Sequence, residues 1–231
     1  MKTYELLLSE NRYAEAIALL EKEIEVEVAQ KTHKKPNALD ALVSLGICYY
    51  ETQQMEKART VLEKSLEIAR SEVNQYSVSR VLHELSLVVS AQGENDKAIE
   101  MCKESVELQL ELGEEPTLVL HTLSVLYQKV ARWDEAMEIL AMVRESCEAR
   151  NDLEGLGRCL NEIGLTYLQK GDLATAVRYL VDSIELKHQI GNERGIELSL
   201  KNLSACLQDN PFLALDPNVK QHLDRLQGIL E

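Results

Sequence analysis

Apolar residues recur at helical spacing along the chain, in blocks that repeat about every 40 residues. The most regular marker is an alanine followed four residues later by leucine or cysteine. These alanines are Ala16, Ala58, Ala98, Ala136 and Ala176, separated by 42, 40, 38 and 40 residues. Four successive spacings near 40 indicate an internal repeat, each copy of which is one supersecondary unit.

A second marker precedes each of the last four alanines by twelve residues. It is a small residue, and a larger aromatic or branched residue follows it after three positions. The small residues are Gly46, Ser86, Ser124 and Gly164, and the larger ones are Tyr49, Val89, Tyr127 and Tyr167. A small residue lets two helices approach closely, and a large neighbour fills the remaining space. Each repeat is therefore predicted to contain two amphipathic helices.

Polar segments rich in helix-ending residues divide the chain. Gly93 and Gly171 mark turns between the two helices of a repeat, and segments such as Lys34–Asn37 and Gly113–Pro116 separate repeats. We predict a single domain, 1–231. Its repeats span about 1–35, 36–74, 75–115, 116–152 and 153–192, with the last helices and a cap in 193–231.

The two ends of the chain differ. Asp216 and Pro217 supply an N-cap and a first-turn proline for a last helix. Its apolar stripe is Val219, Leu223, Leu226 and Leu230, which predicts the capping helix that a stack of repeats needs. A short helix over Met1 to Glu10 begins the chain. This end is predicted to fray, to pair with a second copy or to pair with a missing domain.

These markers resemble the tetratricopeptide repeat over nearly the whole chain. The usual period of that family is 34 residues, so a period near 40 is similar to its long-helix subclass. That subclass is found in kinesin light chains, Pins-type polarity adaptors and bacterial peptide-sensing regulators. The resemblance implies an all-α, right-handed superhelical solenoid of about five helical hairpins plus the C-terminal capping helix. It also implies that the first helices line a concave groove that binds a ligand.

Composition argues against two classes of partner and indicates a cellular compartment. The net charge of −14 argues against nucleic acid and against anionic membrane surfaces as partners; the acidity fits either solubility or a basic partner. Five cysteines without a Cys-x-x-Cys pair indicate a reducing compartment. No apolar run approaches the ~18 residues of a membrane span, and the N-terminus is polar, so we expect a cytoplasmic protein.

The repeat register places an apolar stripe along the implied groove. Its members are Ile47, Leu87, Val125 and Leu165, and charged side chains of both signs surround it. An apolar stripe with a polar rim suits a bound peptide, unless helix packing or the capping helix covers the stripe. The residues predicted to bind a partner are Arg80, His83, Leu87, His121, Val125, Arg158, Asn161, Leu165 and Asn202. Asn202 is included because the long-helix subclass often presents Asn to a ligand backbone.

Several specialised functions are not supported. Chaperone-binding family members clamp a C-terminal carboxylate with Lys, Asn and Arg, and the corresponding places here carry Val43, Ser44, Ile47, His83, Glu84 and Leu87. His83 and His121 occupy equivalent places, but too few ligands surround them for a metal site, and the simplest expectation is a pair of solvated histidines. Gly155–Leu160 lacks the third glycine of a dinucleotide loop. We predict no cofactor, no metal and no enzymatic activity.

The sequence therefore predicts a scaffold or adaptor that binds another protein or peptide in its groove. A peptide-sensing regulatory module, with its effector domain absent or on another chain, is one alternative. A self-assembling structural scaffold that associates through its N-terminal end is another.

Overall fold

The computed structural model describes the backbone of residues 3–29 and 36–230 and the side chains of residues 3–25 and 39–229. Within this part it contains twelve α-helices, a short 3-10 turn (Leu213–Leu215) and no strand. The helices are α1 (Thr3–Ser9), α2 (Tyr13–Ala29), α3 (Pro36–Glu51), α4 (Met55–Ser71), α5 (Gln75–Ala91), α6 (Asn95–Glu111), α7 (Thr117–Lys129), α8 (Trp133–Arg150), α9 (Leu153–Lys170), α10 (Leu173–Gln189), α11 (Glu193–Asp209) and α12 (Pro217–Leu230). The predicted all-α fold of successive helical hairpins is confirmed.

Nine of the turns between helices share one backbone conformation. Each contains a residue in the left-handed conformation, where the chain leaves one helix and enters the next. These residues are Asn11, Gln53, Val73, Gly93, Gly113, Ala131, Asn151, Gly171 and Gly191. Glycine adopts this conformation at no steric cost, which explains the turns predicted at Gly93 and Gly171. The predicted connection at Lys34 and Lys35 lies outside the described residues.

Small residues bring the two helices of a hairpin together, as the sequence predicts. A Cβ atom on Gly164 would lie 2.9 Å from Leu180 Cγ and 3.2 Å from the carbonyl oxygen of Ala176. A Cβ on Gly46 would lie 2.6 Å from Leu62 Cγ. Real Cβ atoms do not approach other atoms so closely, and the glycines are therefore required by the interhelical distance.

The chain forms two compact units, residues 1–119 and 120–231, whose boundary falls within α7. In unit 1, each helix from α1 to α6 packs against the next, and α3 also contacts α5. In unit 2, α8 to α11 pack in the same successive manner, α9 also contacts α11, and α12 packs against α10. The single domain predicted from the sequence stays a prediction.

The last helix closes the core of unit 2. Val219 and Leu226 of α12 are buried against a cluster of α10 and α11 side chains. The Asp216 carboxylate accepts hydrogen bonds from the backbone N–H groups of Asn218 (2.8 Å) and Val219 (3.4 Å), which is N-capping. Leu223 is partly buried against the same cluster. The side chain of Leu230, the last member of the predicted stripe, lies outside the described residues.

Candidate functional site

The first helices of successive hairpins lie side by side within each unit and present two surfaces. The α3/α5 surface of unit 1 consists of Asp40, Ile47, Arg80, Glu84 and Leu87. The α9/α11 surface of unit 2 consists of Val125, Arg158, Glu162, Leu165 and Asn202, with Val125 contributed by α7. All of these side chains are half-buried except Arg158, which is exposed.

One ion pair crosses the α3/α5 surface. The guanidinium of Arg80 donates to the carboxylate of Asp40 at 2.8 Å, and both side chains are partly exposed. Such a pair contributes little to stability. It does pair the positive charge of Arg80 with the carboxylate of Asp40. Ile47 and Leu87 remain half-buried and give the surface its apolar part.

His83 is buried beneath this surface, and the expectation of a solvated histidine is wrong. Only 7% of the residue is exposed, because it sits at a helix-packing position of α5. Burial lowers its pKa to about 4, so the imidazole is uncharged at neutral pH. Its Nδ1 atom lies 4.0 Å from the Glu84 carboxylate, a contact that is an ion pair only when the imidazole is protonated. Burial also raises the pKa of Glu84, and the positive charge of Arg80 opposes this rise.

His121 in unit 2 is buried as well, with 9% exposed. Burial first, and then the positive charge of Arg158, lower its pKa to about 4. Its Nε2 atom is buried and has no hydrogen-bond partner among the described residues. His121 and His83 are thus neutral core residues rather than surface cations, and contact of either with a partner stays a prediction.

Polar side chains from α7 and α9 meet at Glu162. Its carboxylate accepts hydrogen bonds from Asn161 Nδ2 at 3.3 Å and from Gln128 Nε2 at 3.4 Å. Gln128 also donates to the Thr166 hydroxyl at 3.0 Å. Burial raises the pKa of Glu162 and these donors oppose the rise, so the carboxylate is held by neutral amides.

A second polar network runs beneath the α9/α11 surface from a lysine of α10. Lys187 is 3% exposed, and its ammonium donates to Ser199 Oγ at 2.8 Å. Ser199 donates to Asn161 Oδ1 at 3.0 Å, and Asn202 Nδ2 donates to the same oxygen at 3.0 Å. Two of the predicted binding residues, Asn161 and Asn202, therefore bond to each other, and Asn161 is 3% exposed.

Lys187, Ser199, Gln128 and Glu162 were not among the residues predicted to bind a partner. A signal for the lysine was present in the sequence. Val177, Leu180 and Ile184 form a helical apolar stripe whose next position is Lys187. A lysine that continues an apolar stripe is expected to be buried, and a buried lysine is rare unless it has a partner.

The described residues do not assemble an evident catalytic or metal centre. No group of three or more His, Cys, Asp or Glu side chains in the described part of the chain lies close enough to hold a metal ion. All five cysteines are buried and none forms a disulfide bond. Burial raises the pKa of Cys159 to about 12, which keeps this thiol protonated and unreactive. In the same part of the chain, no helix is long and apolar enough to span a membrane.

Comparison with known protein families identifies the family of this chain. Models described as Tetratricopeptide repeat match residues 5–71, 37–111 and 157–189, more than half of the chain. The chain belongs to the tetratricopeptide repeat family. The sequence matches none of the curated proteins with which it was compared.

Solved structures show the same tetratricopeptide repeat fold at low sequence identity. A putative kinesin light chain of Podosopora anserina with nearly identical TPR-like repeats is 20% identical, with 82% of this chain and 93% of that chain covered and a TM-score of 0.69. BtubC (BKLC) from P. vanneervenii is 14% identical, with coverage of 94% and 90% and a TM-score of 0.73. A Rap protein complexed with Competence and Sporulation Factor is 15% identical, with coverage of 89% and 62% and a TM-score of 0.61.

Proposed function

We propose that this tetratricopeptide repeat protein is a non-catalytic scaffold or adaptor that binds a segment of a partner protein along its first helices. The observation that carries the proposal is the half-burial of Ile47, Leu87, Val125 and Leu165 at equivalent repeat positions. Side chains needed only for helix packing become fully buried, as Leu85 and Leu123 do on the same helices. In each unit, the two residues at these positions leave apolar area for a ligand to cover.

The polar side chains around the stripe suit a peptide. Arg80 and Asp40 flank it in unit 1, while Arg158 and Asn202 flank it in unit 2. Apolar anchors give affinity, and polar groups at the rim fix the orientation of the ligand. A Rap protein complexed with Competence and Sporulation Factor has the same fold, which supports the proposal that a protein of this fold binds another molecule.

The test is capture of partners from a native lysate by the wild-type chain and by two variants, Leu87→Glu in unit 1 and Leu165→Glu in unit 2. Each variant places a carboxylate in the apolar stripe, where covering it with a ligand removes it from water at a cost of more than about 1.4 kcal/mol. We expect at least a roughly tenfold loss of the captured protein, quantified by mass spectrometry.

Matched controls separate the stripe from the rest of the surface. Leu110→Glu in unit 1 and Leu215→Glu in unit 2 add the same charge at leucines that are 58% and 75% exposed. Both controls should capture as much partner as the wild type, and circular dichroism should show all four variants folded. Equal capture by the stripe variants and by the wild type would contradict the proposed binding surface.

A peptide-sensing regulatory module is a second candidate, favoured by the likeness to the Rap protein in complex with its factor. A sensor and an adaptor differ in the size of the ligand. A short peptide pool that raises the melting temperature as much as the captured protein does would favour the sensor. Self-assembly through the N-terminal end stays a prediction, for which light scattering at increasing concentration is the measurement.

A further inference from the structure

The turn between α4 and α5 exposes apolar side chains that contribute little to the core. Val73 is 85% exposed, and Tyr76, in the first turn of α5, is 52% exposed. Val73 also adopts the left-handed conformation, with φ of 53°, in which a β-branched residue is strained. Three other turns between repeats carry Gly113, Asn151 and Gly191 at the equivalent place, and these residues tolerate the conformation. A strained side chain that covers no core points to a role outside the fold.

The end of α6 lies beside this turn. Gln75 Nε2 donates a hydrogen bond to the carboxylate of Glu111 at 3.3 Å, and Leu112, the next residue, is 41% exposed. Arg70, near the end of α4, donates to the Glu104 carboxylate of α6 at 2.7 Å. Exposed apolar side chains from two segments therefore lie at the same end of unit 1. We name this set the turn surface, and its members are Val73, Tyr76 and Leu112.

The surroundings of the turn surface are strongly acidic. Among the charged residues of segments 70–76 and 103–115, two are basic and six are acidic. Both basic residues already have carboxylate partners, since Arg70 pairs with Glu104 and Lys103 pairs with Glu100 at 2.9 Å. An acidic rim around exposed apolar residues suits a partner of the opposite charge. The exposed carboxylates of this rim belong to Glu72, Glu107, Glu111, Glu114 and Glu115.

We infer that the turn surface binds a basic segment of a partner protein. An apolar side chain of that segment packs on Val73 and Tyr76, and its Lys or Arg side chains lie among the surrounding carboxylates. Covering the apolar side chains removes them from water, and the complementary charge speeds association and fixes the orientation of the segment.

This surface differs from the one that the proposed function uses. Val73 belongs to the turn before α5, whereas Ile47 and Leu87 lie within α3 and α5. The inference therefore adds a second binding surface to unit 1 and does not depend on the proposed function. A protein with both surfaces can hold two partner segments at once.

The experiment measures, by fluorescence anisotropy, the binding of three pools of nine-residue peptides to the wild-type protein. Outside the five central positions, each pool is randomised among uncharged residues. The basic leucine pool has a central leucine with two lysines on each side, the neutral leucine pool has glutamines instead of the lysines, and the basic serine pool has serine instead of the leucine. We expect the basic leucine pool to bind roughly tenfold more tightly than either of the others. Equal binding of the two basic pools would show attraction to the net charge only and would overturn the inference, as would equal binding of the two leucine pools.

Two variants remove the apolar and the acidic parts of the turn surface separately. Val73→Asn should weaken binding of the basic leucine pool roughly tenfold. Asparagine occupies the equivalent turn of unit 2 in the same conformation, so this variant should melt no lower than the wild type. Glu72→Gln/Glu111→Gln should reduce the preference for lysine over glutamine. The matched control Glu148→Gln/Glu154→Gln removes two exposed carboxylates beside the equivalent turn of unit 2 and should bind all pools as the wild type does.

Leu87→Glu distinguishes the turn surface from the proposed binding surface on the first helices. This variant should bind the basic leucine pool at least as tightly as the wild type. Unchanged binding of that pool by Val73→Asn would overturn the inference. If Leu87→Glu abolished the binding that Val73→Asn retained, the pool would bind along the first helices, and the proposed function would stand while the turn surface failed.

Discussion

The hairpins α5–α6 and α9–α10 are built on one template and differ beneath their surfaces. In both, a serine of the second helix donates to a carbonyl of the first: Ser105 to Ser79 at 2.7 Å, and Ser183 to Gly157 at 2.6 Å. The equivalent positions one turn further along these second helices carry Gln109 and Lys187. The template thus sets the helix packing and leaves the neighbouring positions free to vary.

The difference continues on the first helices. His83 of α5 is a neutral, buried imidazole, whereas Asn161 of α9, at the equivalent position, joins a network of hydrogen bonds that includes a buried ammonium. The same repeat position therefore carries either an acid-sensitive core residue or a polar network. We therefore expect stability to respond to the protonation of His83 at the first site, whereas hydrogen bonds join three helices at the second.

The largest expected effect comes from exchanging the small residue at the helix contact. Ser86 fits in α5 because it faces Cys102, whose Sγ lies 3.1 Å from its hydroxyl. Gly164 in α9 faces the larger Leu180, so Gly164→Ser would force the helices apart. We expect a loss of roughly 2–3 kcal/mol in the free energy of unfolding, measured by urea denaturation.

Gly228→Ser is the matched control for this change. Gly228 also lies in a helix, α12, but a Cβ placed on it would meet no atom within 4 Å. Serine is a better helix former than glycine, so the control should leave stability unchanged or raise it slightly. Equal effects of the two substitutions would show that the α9–α10 distance does not depend on Gly164.

The second prediction concerns the stability of the α5–α6 hairpin in acid. The pKa of His83 is lowered from 6.5 to about 4 in the folded protein, so the unfolded chain binds a proton first as the pH falls. The stability that neutral His83 provides is present above pH 6.5 and is lost as the pH falls toward 4. Between pH 7 and pH 5 the wild type should lose about 2 kcal/mol more than His83→Gln, since each pKa unit corresponds to about 1.4 kcal/mol.

The difference between the two proteins isolates His83 from Glu84. The raised pKa of the Glu84 carboxyl acts with the opposite sign, because the folded protein then holds the proton more tightly. Glu84 is present in both proteins and its own contribution largely cancels. Parallel stability curves for wild type and His83→Gln over this pH range would contradict the buried, neutral state of His83.

Features that repeat along the chain could be predicted from the sequence, whereas features without a repeat could not. The alanines, the small residues and the turn glycines repeat, so the hairpins and the close approach at Gly46 and Gly164 were predictable. The polar network was not predictable, because it joins Lys187, Ser199 and Asn161 from three helices. The equivalent positions of Lys187 in three other repeats carry Ala69, Gln109 and Cys147, so the lysine is not part of the repeat pattern. The burial of His83 was missed because the family resemblance placed it on a ligand-facing side, whereas packing between neighbouring helices covers it.

The smallest predicted effect concerns the turns that precede α5 and α9. Val73 and Asn151 occupy equivalent places there in the left-handed conformation, with φ of 53° and 56°. A β-branched residue is strained in this conformation, whereas asparagine tolerates it. Val73 is 85% exposed, so Val73→Asn removes little buried apolar surface. The substitution should therefore raise the free energy of unfolding by about 1 kcal/mol. The reciprocal Asn151→Val should lower it by a similar amount in urea denaturation. If both substitutions changed stability in the same direction, the two turns would not share one conformational requirement.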